Sequence, residues 1–397
     1  MASLGGGALL AGCAGEEANG NGEETGGTDS DNGGNGGGTD DEALPVEAAS
    51  MDYIWPLEEY SGQTLEEEYN LDMTLSAMTP GPDEVLQMFV AGDAQQFDAV
   101  QSHNSVENLL GRENALASID KDRIEEWDRM QDHLKEDGEQ SFKLRHDGEL
   151  LAAPCTQNAD SLTYNRDRMD TPNSWGVLFD EQWRGETAVI DDWANTLCWT
   201  ALYCRENNIV DIDNPSDMTA EEVEGVIDFL VENKEDGQFV TIWSAYGNTI
   251  DLLVNEELAA SYVFFTAVLE AREQGIDLGY PTLREGHYEW NDNWHMTNGC
   301  VERGNEEQFY RIANYALSEK YAADMLQTRA AHTTRKFDDV QDYIMENDDE
   351  YDVDLLMDRF EATQERYDAN GDTFAWNNMD PDAREAYTDG WGRFLNA

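Results

Sequence analysis

Any compact form of this chain must hold 61 uncompensated negative charges, because 85 Asp and Glu stand against 24 Lys and Arg over 397 residues. Ten of the acids fall in the first fifty residues, which hold no Lys or Arg, so the remainder still carries −51. The acidity therefore belongs to the folded body. In dilute buffer such a charge opposes compaction by self-repulsion. In molar salt the Debye length falls to ~3 Å and the repulsion is screened. Only six of the basic residues are Lys, and a carboxylate-covered, Lys-poor surface stays hydrated in brine. The composition predicts a protein of a salt-loving organism. A disordered acidic chain is the other reading of such a charge, but 11 Trp, 16 Tyr and 13 Phe within 40% hydrophobic residues can build a core. The charge argues against nucleic acid as a partner, since that needs basic footprints. It also devalues any single Asp or Glu as a site marker, because most must be solvated surface.

The start of the chain carries a second signal. Leu10-Ala11-Gly12-Cys13 closes an apolar stretch and has the form of a lipobox, in which small residues precede a Cys that becomes lipidated. Residues 1–13 read as the end of a signal peptide. The basic residues that open such a peptide are missing, so a charged leader upstream of residue 1 is expected. Residues 14–42 are Gly, Asn, Asp, Glu and Thr with almost nothing apolar, and are expected to form a disordered tether. One lipid chain binds a membrane only marginally, so a second is expected beside it. No run of ~18 apolar residues exists, and no membrane-spanning helix is expected.

From residue 43 the composition turns globular, and strand-like and helix-like stretches alternate. Segments 71–77, 97–100, 150–154, 161–165, 187–190 and 258–264 read as strands. Helices are expected over 83–91, 192–207 and 309–317, with a mostly helical final third. Thr219 and Glu222 form a capping box ahead of Val223, Val226, Ile227, Leu230 and Val231 at helical spacing. The alternation predicts an α/β fold with largely parallel sheets. Ligands of such folds sit at the carboxyl ends of strands, which singles out the loops after Val100, Ile190 and Phe264 and the region of Trp290.

Several phrases, in this order, resemble the spermidine/putrescine-binding proteins of ABC importers. They are Thr171-Pro172-Asn173-Ser174-Trp175-Gly176, Trp183-Arg184-Gly185, Val189-Ile190-Asp191-Asp192, 256–267, Glu289-Trp290-Asn291-Asp292 and 325–335. The resemblance implies a two-lobed, type II periplasmic-binding-protein fold that closes over a ligand. Lobe 1 would hold 43–153 plus 299–342, and lobe 2 would hold 154–298 plus 343–397. The hinge strands would pass near 153–156 and 297–301. It further implies a small organic solute, most directly a polyamine or another small cation, a permease partner in the membrane, and a monomer held at the outer membrane face by lipid on Cys13. No cofactor, metal or catalytic residue is implied.

Carried over residue by residue, Asp292 and Asp192 stand where the family grips an amine. Trp290 would be a wall beside Asp292, and Phe264 stands where the family has Trp. Ser102 or His103 falls on the family's polar loop, and Trp55 falls near its first cleft loop. Trp294 is close enough in sequence to Trp290 to serve as a second wall. Asn195 replaces a second carboxylate and Ala331 replaces an aromatic, which points to a shorter or less charged ligand, or to a different one altogether. Each residue has a plainer role open to it: Asp192 as a helix cap, and Trp290, Trp294 and Phe264 as core. Cys155 and Cys300 fall on the two implied hinge strands and would pair there, whereas Cys198 and Cys204, six apart on one helix, face different sides. His287 and His295 lack partners at metal-ligand spacing, and 368–372 lacks the glycine and glutamate of a calcium loop. Two other functions fit the same features: an exported hydrolase with paired carboxylates, and a lipid-anchored ligand sensor of the same fold.

Overall fold

The computed structural model describes residues 43–51, 62–78, 82–103, 107–136, 138, 144–244, 246–370 and 382–397. Cys13, the tether, Trp55 and Asp372 lie outside them.

The first half of the chain begins with β1 (Leu44–Met51), α1 (Gly62–Tyr69), β2 (Leu71–Met78), α2 (Pro82–Ala91), β3 (Ala99–His103) and α3 (Glu107–Arg112). A short hairpin of β4 (Arg145–His146) and β5 (Glu149–Leu150) leads into β6 (Ala153–Asp160) and β7 (Leu162–Asn165). Then come β8 (Thr187–Ile190), α4 (Trp193–Glu206), α5 (Ala220–Glu235), β9 (Phe239–Trp243), α6 (Tyr246–Val254), β10 (Ala260–Tyr262) and α7 (Phe265–Glu273). After β11 (Leu278–Gly279) and the long β12 (Tyr288–Met296), the chain is helical but for β13 (His332–Thr333). Its closing helices are α8 (Asn298–Arg303), α9 (Glu306–Ala316), α10 (Glu319–Arg329), α11 (Phe337–Glu346), α12 (Val353–Asn370) and α13 (Arg384–Asn396).

These strands build two sheets, one at the heart of each lobe. The larger has the order β13-β6-β12-β3-β1-β2, the smaller β11-β7-β10-β8-β9. Largely parallel sheets were the expectation, but both are mixed. β1 runs parallel to β2 and β3, while β12 runs antiparallel to β3 and β6. In the smaller sheet β8 is parallel to β9 and β10, and β7 is antiparallel to β10 and β11. The reversals occur where the chain passes between sheets. β6 lies wholly in the larger sheet, and one residue, Ser161, separates it from β7 in the smaller. The return passage is 280–287, from β11 to β12.

The passages therefore fall at Ser161 and 280–287 rather than near 153–156 and 297–301. The second expected hinge strand is instead a helix: Thr297 Oγ1 accepts from Cys300 N at 3.0 Å and caps α8. The two true passages are bonded side by side. Ser161 N donates to Tyr280 OH at 2.8 Å, and Ser161 Oγ donates to Pro281 O at 2.6 Å. The terminal helices, expected together with lobe 2, divide. α12 packs against β6 and α10, while α13 packs against α5, where Lys234 Nζ donates to Phe394 O at 2.9 Å.

Local sequence explains several of the helices. Thr219 and Glu222 form the expected capping box at the start of α5, which buries Val223, Val226, Ile227 and Leu230. Asp192 caps α4. At the end of α10, Ala330 takes a left-handed φ of 50° and its N–H bonds to Leu326 O. A side chain tolerates that region at a cost of ~1–2 kcal/mol, and here it turns the chain sharply into β13. Among the described residues no helix is long and apolar enough to cross a membrane.

Candidate functional site

β6 and β12 pair from Tyr288↔Asp160 to Trp294↔Ala153. Cross-strand partners point to the same face, so Asp160, Asn158 and Thr156 stand with Tyr288, Trp290 and Asp292. Asp160 is fully buried at the end of β6, one residue before the passage. Its Oδ2 accepts from Trp290 Nε1 at 2.6 Å and from Tyr262 OH at 3.0 Å, and its Oδ1 lies 3.3 Å from Tyr280 OH. Tyr262 OH also lies 2.9 Å from Asn195 Oδ1, and Asn195 Nδ2 donates to Asp192 Oδ2 at 2.7 Å. One relay thus runs from β12 in the larger sheet, through Asp160 and Tyr262, to the N-terminus of α4 in the other lobe.

Counting protons along the relay is informative. Tyr262 has one hydroxyl proton and faces two acceptors, Asp160 and Asn195. Tyr280 also has one and faces Asp160 and the Val263 carbonyl. With Asp160 ionised both hydroxyls are shared between two acceptors, and a proton on Asp160 would relieve only one of them. Burial pushes the Asp160 carboxyl up to about 6, against the pull of its hydrogen bonds and of the Arg366 guanidinium. Arg366, from α12, is itself buried and donates to Ala159 O at 2.6 Å, with its guanidinium 5.0 Å from the Tyr280 ring centre.

A cavity opens beside this relay. Asn158, Asp160 and Trp290 form one wall, Phe264, Phe265 and Thr266 at the start of α7 a second, and Met325, Arg329 and Ala331 at the end of α10 a third. Its free volume is about 30 Å³, whereas pockets holding organic ligands enclose ~300–1,000 Å³. At that size the space does not hold an organic solute without rearrangement of its walls.

The structure brings some of the sequence-marked residues together and separates others. Trp290 and Phe264 both line the cavity, and Phe264 stands edge-on to Tyr262 with ring centres 6.0 Å apart. Asp292, two residues beyond Trp290 on the same face, is fully buried and is not part of the cavity wall. Asp192 is partly buried and serves as a cap, accepting from Ala194 N at 2.8 Å and Asn195 N at 3.3 Å. Burial pushes its carboxyl up to about 6, although its bonds to Asn195 and Ala194 pull the other way. Asn195 is buried in the relay. Ser102 is buried in β3 opposite Asn293, and the His103 backbone stands opposite Asp292. Trp294 is buried further along β12, away from the cavity. Ala331 lines the wall where an aromatic was the family expectation.

The Cys155–Cys300 bridge is not formed; both are buried free thiols. Cys155 sits in mid-β6, where its Sγ donates to Asp292 O at 3.1 Å and accepts from Gln101 Nε2 at 3.3 Å. Cys300 lies in α8, beyond the end of β12. Cys198 and Cys204 are likewise buried and unbridged. His287 and His295 contact the carbonyls of Asp160 and Leu151, each at 3.1 Å, and no cluster of metal-ligating side chains occurs among the described residues. Asp160, Tyr262, Tyr280, Arg329 and Arg366 were not marked by the sequence. The one hint for Asp160 was its place just before the strand read at 161–165.

Comparisons with known proteins agree with this architecture. The family of bacterial extracellular solute-binding proteins matches residues 62–343. A putative spermidine/putrescine ABC transporter protein from Listeria monocytogenes superposes with a TM-score of 0.69 at 14% identity, over 88% of this chain and 98% of that one. The spermidine/putrescine substrate-binding protein PotD of Streptococcus pneumoniae gives 0.68 at 14% identity, over 89% and 99%. The binding protein MotA of A. tumefaciens B6, solved with glucopine, gives 0.62 at 14% identity, over 88% and 99%. At such identities the likeness is one of fold. Among curated proteins none matches the sequence. With the family match spanning most of the chain, the protein belongs to the bacterial extracellular solute-binding proteins.

Proposed function

We propose that this protein captures a small organic solute bearing an ammonium group, with polyamines the first class to consider, and delivers it to an ABC-type permease. The observation that carries the reading is Asp160, a buried carboxyl on an aromatic-walled cavity between the two sheets. An ammonium leaving water needs charge-assisted hydrogen bonds, and its carbon chain needs aromatic faces that also attract cations. Trp290 and Phe264 supply the faces. Asp292, Asp192 and Asn195 are outside the cavity lining and would become contacts only if an opened cleft exposed them. Ser102, His103 and Trp55 complete the set drawn from family resemblance. Two of the structural relatives are described as spermidine/putrescine transport proteins, which supports the class.

Screening in brine removes long-range attraction of cations, so selection rests on desolvated contacts inside the closed cleft. Closure of the lobes changes the surface that a permease meets, and no chemical step is required. A lipid on Cys13 would keep a monomer at the outer membrane face. The test is thermal unfolding in molar salt with putrescine, spermidine, neutral sugars and free amino acids. A ligand bound only by the folded state raises Tm with concentration. A rise with amines is expected. A rise with a sugar and none with any amine would end the cation assignment and leave the family intact.

A further inference from the structure

The cavity holds one cation of its own. Arg329 is the last residue of α10 and lines the wall. Its Nε is buried without a hydrogen-bond partner, and no ion pair to it occurs among the described residues. On this protein that is unusual, because carboxylates outnumber basic groups 85 to 24. Arg335 contacts Glu126, Glu319 and Asp339, Arg303 contacts Asp98, and Arg393 contacts Glu224 and Asp228. An arginine in the last turn of a helix commonly folds back onto the free carbonyls there. Arg329 donates to none of them, whereas Arg359, from α12, takes the Leu326 and Gln327 carbonyls.

The cavity lining therefore combines an acid, Asp160, and a base, Arg329, with apolar and aromatic side chains. Asp160 and Trp290, on β6 and β12, line the same cavity as Arg329, at the end of α10, together with Phe264 and Met325. A linear dication closed into this space would press one ammonium against the guanidinium. A carboxylate there would meet a planar fork that binds it through two parallel hydrogen bonds.

We infer that the solute is a short zwitterion, with its ammonium toward Asp160 and Trp290 and its carboxylate on Arg329. This rests on the ammonium-binding reading above and narrows it. It also fits the low net charge of the ligand implied by Asn195 and Ala331.

The experiment is calorimetric titration of the full chain in molar salt. The probes are a homologous series of short ω-amino acids, the diamines of equal length, and the simple carboxylic acids of equal length. At the best length the amino acid should bind at least about tenfold more tightly than either comparison, the scale of one charge-assisted contact. Arg329→Gln should remove that advantage and leave diamine affinity unchanged or raised, with Arg329→Lys between. If the diamine binds more tightly to the native protein, or if Arg329→Gln leaves amino-acid affinity unchanged, the carboxylate subsite is wrong and the ammonium reading stands. If neither amines nor amino acids bind, both fall. The native-protein comparison needs no variant, so a misfolded substitution would not rescue the idea.

Discussion

β8 and β12 are built from different materials. β8, in the smaller sheet, reads Thr-Ala-Val-Ile and is wholly buried, with one polar side chain. β12, in the larger, reads Tyr-Glu-Trp-Asn-Asp-Asn-Trp-His-Met and is buried at all nine positions. Its neighbour β6 adds Thr156, Gln157, Asn158 and Asp160, also buried. An apolar strand stabilises by area alone. A buried polar group costs ~1–3 kcal/mol unless it is hydrogen-bonded. The polar pair is where the cavity lies, and the apolar strand is scaffold. Sequence that is expensive for stability marks the functional part of this fold better than sequence that is acidic.

That contrast can be broken by paired substitutions. Trp290→Ala removes an aromatic wall and the donor to Asp160, and should cost ~3–5 kcal/mol by chemical unfolding together with most of the ligand affinity. Leu230→Ala, buried in α5, should cost ~2–5 kcal/mol and leave affinity unchanged once the protein is folded. Equal loss of affinity in both would show that binding depends on global stability, and the contrast would fail.

A smaller effect concerns protons. Asp160 and Asp192 are raised to about 6, so the native state holds their protons more tightly than the unfolded chain does. Their contribution is complete below the ordinary carboxyl range and is lost as pH rises through about 6. His287 and His332, lowered to about 3 by burial, act oppositely: their contribution is present above ~6.5 and is lost as pH falls toward about 3. Between these limits the two pairs offset each other. Asp160→Asn upsets the balance. It should raise stability near pH 8 by roughly 2–3 kcal/mol and add nothing at about pH 4. A gain independent of pH would mean that Asp160 does not titrate. The smallest expected effect is none at all: with four buried free thiols, a reducing agent should leave Tm unchanged, and a drop would restore the bridge.

Much of the frame was legible in the sequence because it follows local rules. The capping box at Thr219 and the strand at 187–190 appear where their patterns placed them. α4 runs from Trp193 behind its Asp192 cap, close to the expected span. β12 was not legible as a strand. Buried on both faces and rich in polar residues, it has no two-residue alternation to detect. Trp290 could be marked as a residue, but not as part of the longest strand in the larger sheet. Asp160 was hidden for a different reason: one acid among 85 carries no information until its burial is known. The hinge misplacement has the same root, since Thr297 reads equally well as strand or cap until its bond to Cys300 is seen.

The bonded passages at Ser161 and Pro281 have a thermodynamic consequence. Two passages tied side by side would act as an axle and favour a single soft rotation of the lobes. A solute that shuts the cleft then forfeits one angular freedom, not the many backbone torsions that an ordering loop would surrender. Closing costs little entropy, so affinity is set almost entirely by what the walls say to the ligand. Residence time is set by how firmly Tyr262 and Asp160 hold the two halves together.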